Sequence, residues 1–238
     1  MSAEGSISKE NMEVYLKELG KRYRKLSGKK TPAEIILIGG ASVLLNYGFR
    51  DMTYDADAII CATSVMKEAI NHVRDEFNLP HGWLNEDFKK TTSYSDKLVE
   101  VSVYYRSYAN ILTVRTIAAE YLIAMKAMSG RQYKYDLSDI IGILWEHEKS
   151  NDPITRGAVD SAIFKLYERV PIPDISRRLL DDVFKNGNYE KLYKEVREKE
   201  RESKELILEF DKDHPNTLKG ENISTLIEQI RQRKSDKP

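Results

Sequence analysis

Apolar residues recur at three- and four-residue steps from Met12 through Leu16, Leu19 and Tyr23 to Leu26. That spacing predicts an amphipathic helix over residues 9–26, closed by Gly28 and Pro32. The period then changes. "AEIILIG" (33–39) reads as a short buried strand, and "ASVLLNYG" after Gly39-Gly40 as a short helix ended by Gly48. "DADAIICA" (55–62) predicts a second strand, "SVMKEAINHVRDEF" (64–77) a helix capped by Thr63 or Ser64, and "LVEVSVYY" (98–105) a third strand. A short extended stretch, "ILTVRT", follows. "IAAEYLIAMKAMSG" is a strongly apolar helix ending at Gly130, and "DLSDIIGILWEHE" another, with Asp136 as N-cap and Asp139 in its first turn. From Pro153 onward the pattern is helical, with segments near 155–169, 174–185, 188–208 and 221–233.

The order of elements predicts an α+β chain, a small mixed β-sheet with flanking helices followed by a helical C-terminal part. The expected division is residues 1–150 and 151–238. The 238 residues, 41% hydrophobic and 32% charged, suffice for a real core. No apolar stretch approaches a membrane span, and the first twenty residues hold no signal-peptide core, so the expectation is a cytoplasmic protein without a membrane partner. Cys61 is the lone cysteine. It excludes an internal disulfide and a Cys-rich zinc site, and its neighbours suggest a buried, inert thiol. Formal net charge is zero, with 38 cations and 38 anions. Global charge therefore gives no support for nucleic-acid binding, while leaving room for a local basic groove.

Chemistry concentrates between Ile35 and Ile60. On a strand, residues i and i+2 share a face, so Asp55 and Asp57 are expected to project together. Two neighbouring carboxylates repel, and burial makes their ionisation costlier. A hard cation shared between them relieves both costs, and Mg²⁺ accepts one or two carboxylates while taking other ligands from water and substrate phosphates. Gly39-Gly40 stand between a strand and a helix, where backbone can approach a ligand and the helix N-terminus suits a phosphate. Ser42 could add a hydroxyl. Each feature has a plain alternative: Gly-Gly is also a common turn, and an edge strand can carry Asp-x-Asp exposed. The order of strand, Gly-Gly, short helix and Asp-x-Asp strand favours the functional reading.

At these residues the chain resembles the nucleotidyltransferase superfamily that includes DNA polymerase beta. Within it, the chain looks like minimal nucleotidyltransferases grouped with AbiE-type toxins of toxin–antitoxin systems, in an uncharacterised bacterial and archaeal branch. Three stretches carry the finer likeness: "FRDMTYDADAI" with Arg50 and Thr53, "GWLNEDF" (82–88), and "LIAMKAMSGRQYKYDLSDI". The resemblance covers roughly residues 30–145. It implies transfer of a nucleoside monophosphate from an NTP to an acceptor hydroxyl on RNA, protein or a small molecule, with Mg²⁺ or Mn²⁺ on Asp55 and Asp57. A small antitoxin protein is the implied partner of a toxin. Many members carry a third carboxylate on a later strand, and Glu100 in "LVEVSVYY" is the candidate, with solvent exposure at a strand edge as its alternative. The arginine stands five residues before Asp55, where the commoner toxin pattern has it four before. A non-catalytic module binding nucleotide or a partner protein is the alternative function.

Further residues admit two readings each. Arg50 could clamp a phosphate or pair with an aspartate. Lys126, on an apolar helix, must snorkel or meet an anion; the resemblance suggests a triphosphate, and Glu120 or Asp139 are the internal alternatives. Arg131 could serve the same phosphates or favour its helix C-terminus. Trp83 and Asn85 could line a pocket wall, where the indole offers a stacking face for a base, or Trp83 could fill the core. Histidines 72, 81, 147 and 214 show no metal-ligand spacing. The mixed-sign run 189–214 reads as a solvated helix rather than an RNA-binding arm.

Overall fold

The computed structural model describes residues 6–28, 30–131, 134–214, 217, 223, 226, 227 and 229. The chain divides into two compact units. The first comprises residues 1–125 and 157–170, the second 126–156 and 171–238.

In the first unit, strand β1 (Ile7–Ser8) leads into helix α1 (Lys9–Leu26), whose N-terminus is capped by Ser8 Oγ accepting from the Asn11 backbone N–H at 3.2 Å. There follow β2 (Ala33–Leu37), α2 (Gly39–Asn46), β3 (Met52–Thr53), β4 (Ala56–Cys61), α3 (Val65–Phe77), β5 (Leu84–Asn85), β6 (Ser102–Tyr108) and β7 (Leu112–Ile117). Helix α4 (Ala119–Ser129) comes next and belongs to this unit up to Met125, and α6 (Arg156–Tyr167) supplies the unit's later segment from Gly157. Five strands form a mixed sheet in the order β5-β4-β2-β7-β6; β1 and β3 pair separately. Strand β4 runs antiparallel to β2, while β7 runs parallel to β2 and β5 parallel to β4. The small mixed sheet with flanking helices, followed by helices, is the architecture that the periodicity predicts.

One face of the sheet (Ile35, Leu37, Ala56, Ala58 and Val114) belongs to the same core as Leu16, Leu19 and Tyr23 of α1 and Ala69 and Val73 of α3. Each fully buried Leu, Ile or Val side chain there contributes roughly 1.5–3 kcal/mol. Gly20 permits the close approach of α1 to the sheet: a Cβ added there would meet Tyr108 Cβ at 2.8 Å.

Three expectations need correction. The strand expected over 98–105 begins only at Ser102, and residues 96–98 form a 3-10 turn. Leu98 and Val101 are buried while Val99 is 42% exposed, so the apolar period is three rather than two, and Glu100 falls in a turn. Cys61, at the end of β4, is exposed rather than buried. Tyr135, not Asp136, occupies the N-cap position of helix α5 (Asp136–Lys149), with Asp136 as its first residue.

The second unit holds α5 (Asp136–Lys149), α7 (Asp174–Asn186) and α8 (Tyr189–Asp213), with α5 packed on both others. Glu200 of α8 is almost fully buried, and its carboxylate accepts from the Leu137 and Ser138 backbone N–H groups at 2.9 and 3.3 Å. A side chain from a distant helix thus satisfies the open N-terminus of α5. The helix expected over 221–233 lies largely outside the described residues.

Candidate functional site

The candidate site forms where β2 ends. Gly39 has φ +53°, a left-handed conformation that favours glycine, and it opens α2 directly after Ile38. Ile38, at the N-cap position of α2, has no side chain able to cap it, so its first N–H groups face the residues and any ligand in front of the bend. The Ile38 N–H donates to the Asp57 carbonyl at 3.0 Å, which fixes β4 against this end of β2. A Cβ on Gly39 would lie 3.9 Å from Asp57 Oδ2. The Asp57 carboxylate therefore lies over the glycine bend.

Arg50 and Thr53 reach the second glycine. A Cβ on Gly40 would stand 2.8 Å from Arg50 Nη2 and 3.1 Å from Thr53 Oγ1. Arg50 Nε donates to the Met52 carbonyl at 3.2 Å, and Thr53 Oγ1 donates to the Asp55 carbonyl at 3.0 Å. Buried Thr53 thus anchors the backbone that carries Asp55. The geometry brings Gly39, Gly40, Arg50, Thr53 and Asp57 around one bend.

The aspartates differ from each other. Ala56 and Ala58 point into the core, so alternation puts Asp57 on the opposite face of β4, half-buried. Asp55 stands one residue before the strand and is exposed. Water reaches the pair at the strand's start, which lowers the burial cost implied by the apolar sequence around them. Among the described residues, no group of three or more His, Cys, Asp or Glu side chains could hold a metal. Two carboxylates of hard oxygen suffice for Mg²⁺ when substrate phosphates complete its shell, and this donor set fits that ion.

The other expected residues are placed as follows. Ser42 is fully buried, and its Oγ accepts from the Ile117 N–H at 3.2 Å, which ties α2 to β7 instead of facing a ligand. Glu100 lines an exposed depression of about 600 Å³ with Lys97, Phe164, Lys165, Glu168 and Arg169. Lys126 and Arg131 belong to the second unit. Lys126 Nζ lies 2.7 Å from Asp136 Oδ1 and 2.9 Å from Asp139 Oδ2, and Arg131 Nε 2.8 Å from Asp136 Oδ2. Burial opposes ionisation of Asp136, but the two cations outweigh it and hold its carboxyl well below the usual range. Internal carboxylates thus supply the anions that Lys126 requires. Trp83 is buried, donates Nε1–H to the Ile70 carbonyl at 3.3 Å, and lies edge-on to Tyr15. It is a core residue.

Register places Asn85, a pocket-wall candidate in the sequence, and Arg115, which the sequence did not single out. Asn85 pairs with Asp57 across β5 and β4, with its amide donating to the Gly82 carbonyl and its Oδ1 accepting from the Asp87 N–H. Arg115 on β7 pairs with Ile36, which pairs with Ile59 on Asp57's face. Its guanidinium is held by Ser102, through Oγ at 2.8 Å and the carbonyl at 2.6 Å. An arginine alternating with Thr113 in "LTVRTI" was the available signal, but its face depends on strand pairing.

A glycine bend at an uncapped helix start, faced by a carboxylate and a guanidinium, has the form of a site for a metal-bound phosphate. The chain belongs to the family described as "Nucleotidyltransferase of unknown function (DUF6036)", whose model matches residues 15–147. Membership places it in the nucleotidyltransferase superfamily, as the resemblance implied. No match was found among curated proteins or among solved structures. No helix among the described residues is long and apolar enough to cross a membrane.

Proposed function

We propose that this chain transfers a nucleoside monophosphate from an NTP to an acceptor hydroxyl. The observation that carries the proposal is the convergence of Asp57, Arg50 and Thr53 on Gly39-Gly40 at the uncapped start of α2. In this reading Asp55 and Asp57 hold Mg²⁺ or Mn²⁺, which when bound offsets triphosphate charge and orients the phosphates. The Gly39-Gly40 backbone and the first N–H groups of α2 receive phosphate oxygens, and Arg50 adds a bidentate donor. Thr53 keeps Asp55 in position. The acceptor oxygen bonds to the α-phosphorus, the bond to the β-phosphate oxygen breaks, and pyrophosphate leaves. The hydroxyl proton passes to a carboxylate of the site.

The test is incubation with α-labelled NTPs, Mg²⁺ or Mn²⁺, and a mixture of nucleic acid and protein acceptors. The intact protein should label an acceptor, and Asp55→Asn or Asp57→Asn should cut that labelling by about 10²–10³-fold while the thermal midpoint holds. Absence of label from all four NTPs in every acceptor fraction would overturn the reading. The finer toxin reading, with a protein antitoxin and a cytoplasmic site of action, rests on the AbiE-type resemblance. It requires that induced expression arrest growth and that Asp57→Asn relieve the arrest.

A second reading, a module that binds nucleotide without transferring it, is favoured by one observation. Glu100 stands in a turn rather than on β6, so the described strands bring no third carboxylate beside the pair. NTP binding by calorimetry with no labelled product would select it.

A further inference from the structure

The chain is neutral overall, yet its positive charge is unevenly placed. Residues 21–30, "KRYRKLSGKK", contain Lys21, Arg22, Arg24, Lys25, Lys29 and Lys30 and no acid, leaving 32 of the 38 cations to face all 38 anions elsewhere. Within the first unit, Lys21 is paired with Glu18, and Arg22 with Glu18 and Glu76. Arg24, Lys25 and Lys30 are exposed and form no ion pair among the described residues. Lys21, Arg24 and Lys25 rim an open depression of about 650 Å³ floored by Gly28 and Ala109. A Cβ on Gly28 would meet nothing within 4 Å, so the floor stays clear.

Cations in a last helical turn are favoured by the helix dipole, which accounts for Arg24 and Lys25. It does not account for the positive charge that the sequence continues beyond the cap at Ser27, where Lys30 lies outside the helix. A cationic rim around an unobstructed floor suits successive phosphates of a flexible chain better than one small anion.

Its position adds a length requirement. The Ala33 N–H donates to the Ile111 carbonyl, so the β6–β7 turn with Ala109 lies at the end where β2 begins. Gly39 follows the other end of β2. Five residues of strand separate the two ends by about 17 Å. At roughly 3.4 Å per nucleotide in a stacked strand, a ligand touching both must be at least about five nucleotides long.

Building on the nucleotidyl-transfer reading, we propose that the acceptor is a nucleic-acid strand, held by its phosphates on Lys21, Arg24, Lys25 and Lys30 while its hydroxyl end reaches Asp55 and Asp57. The patch is suited to backbone rather than sequence, because its exposed charges ride on flexible stems on an open surface rather than in a groove that would fix a base edge against them.

Fluorescence anisotropy with labelled 4- and 20-nucleotide single-stranded RNA and DNA, without NTP, tests it. The 20-mer of at least one type should bind, with a logarithmic salt slope near −3 for four phosphate contacts at about −0.7 each, and the 4-mer at least tenfold more weakly. The reversal R24E/K25E/K30E should weaken 20-mer binding at least tenfold and flatten that slope, with an unchanged thermal midpoint. The control reversal K185E/K191E/K194E, on exposed lysines of the second unit, should leave binding within twofold. No 20-mer binding, an unaffected R24E/K25E/K30E variant, or a larger loss in the control overturns the proposal. Asp57→Asn should still bind the 20-mer. Binding without any nucleotide transfer sinks the enzymatic reading and leaves the patch; transfer to protein acceptors, unaffected by R24E/K25E/K30E, sinks the patch and leaves the enzyme.

Discussion

A methyl group on Gly40 would press on the Arg50 guanidinium at 2.8 Å and on Thr53 Oγ1 at 3.1 Å, so the nearest atoms it meets belong to side chains. The atom in the way is the far end of a flexible side chain, so the fold can yield. Alanine is also a better helix former than glycine by up to about 1 kcal/mol. Gly40→Ala should therefore leave the thermal midpoint unchanged or raised. The NTP KM should rise on the order of tenfold, about 1.4 kcal/mol of binding, because Arg50 is displaced. Equal losses in stability and activity would show that Gly40 serves packing alone. The sequence made Gly39, Gly40 and Asp57 legible because strand period and glycine placement are local. It left Lys126 ambiguous between a ligand and an internal anion. That choice depended on Asp136 and Asp139 folding back beside it, and spacing alone cannot supply that distance.

Between elements, the sharpest electrostatic feature is Glu200 of α8 at the start of α5. Burial is the dominant influence and pushes its carboxyl up to about 8 from an ordinary value of 4.5, with Asp139 and Asp136 adding repulsion and the Ser138 and Leu137 contacts pulling the other way. A raised value means that the folded chain keeps a proton which the unfolded chain has released. Its contribution to stability is full below about pH 4.5 and is lost as pH rises to about 8. Asp136, held low by Lys126 and Arg131, acts in the opposite sense and in a separate window, losing its contribution only as pH falls below the ordinary aspartate range. Glu200→Gln should flatten the fall in thermal midpoint between pH 5 and pH 8. An identical fall in wild type and variant would contradict this. Nothing in "YEKLYKEVREKERESKELILEF" distinguished Glu200 from its neighbours, since a charged helix face looks uniform until one carboxylate meets another helix. The same limit explains the turn at 96–101. "LVEVSV" alternates like a strand, yet burial selects Leu98 and Val101, three residues apart.

For the molecule as a whole, the chain passes between its two compact units three times, after Met125, Arg156 and Val170. The linear division at residue 150 expected from the sequence would separate residues 157–170 from the rest of the first unit. Periodicity reports where helices lie, not which core they join. The interrupted course has a measurable consequence. Tyr167 is buried and its hydroxyl donates to the Ser93 carbonyl at 2.7 Å, while Ser95 Oγ donates to the Leu166 carbonyl at 3.0 Å. Val159, Ala162 and Leu166 are buried alongside. A fragment of residues 1–150, which contains the whole family match, loses these partners. Each orphaned buried polar group costs about 1–3 kcal/mol, and the exposed apolar surface adds to that. Hydrogen exchange of residues 91–101 should therefore be at least tenfold faster in the 1–150 fragment than in the full chain, and Tyr167→Phe should reproduce part of the increase. Equal protection in fragment and full chain would mean that α6 contributes nothing to the first unit's core, and that the break at residue 150 is the real one.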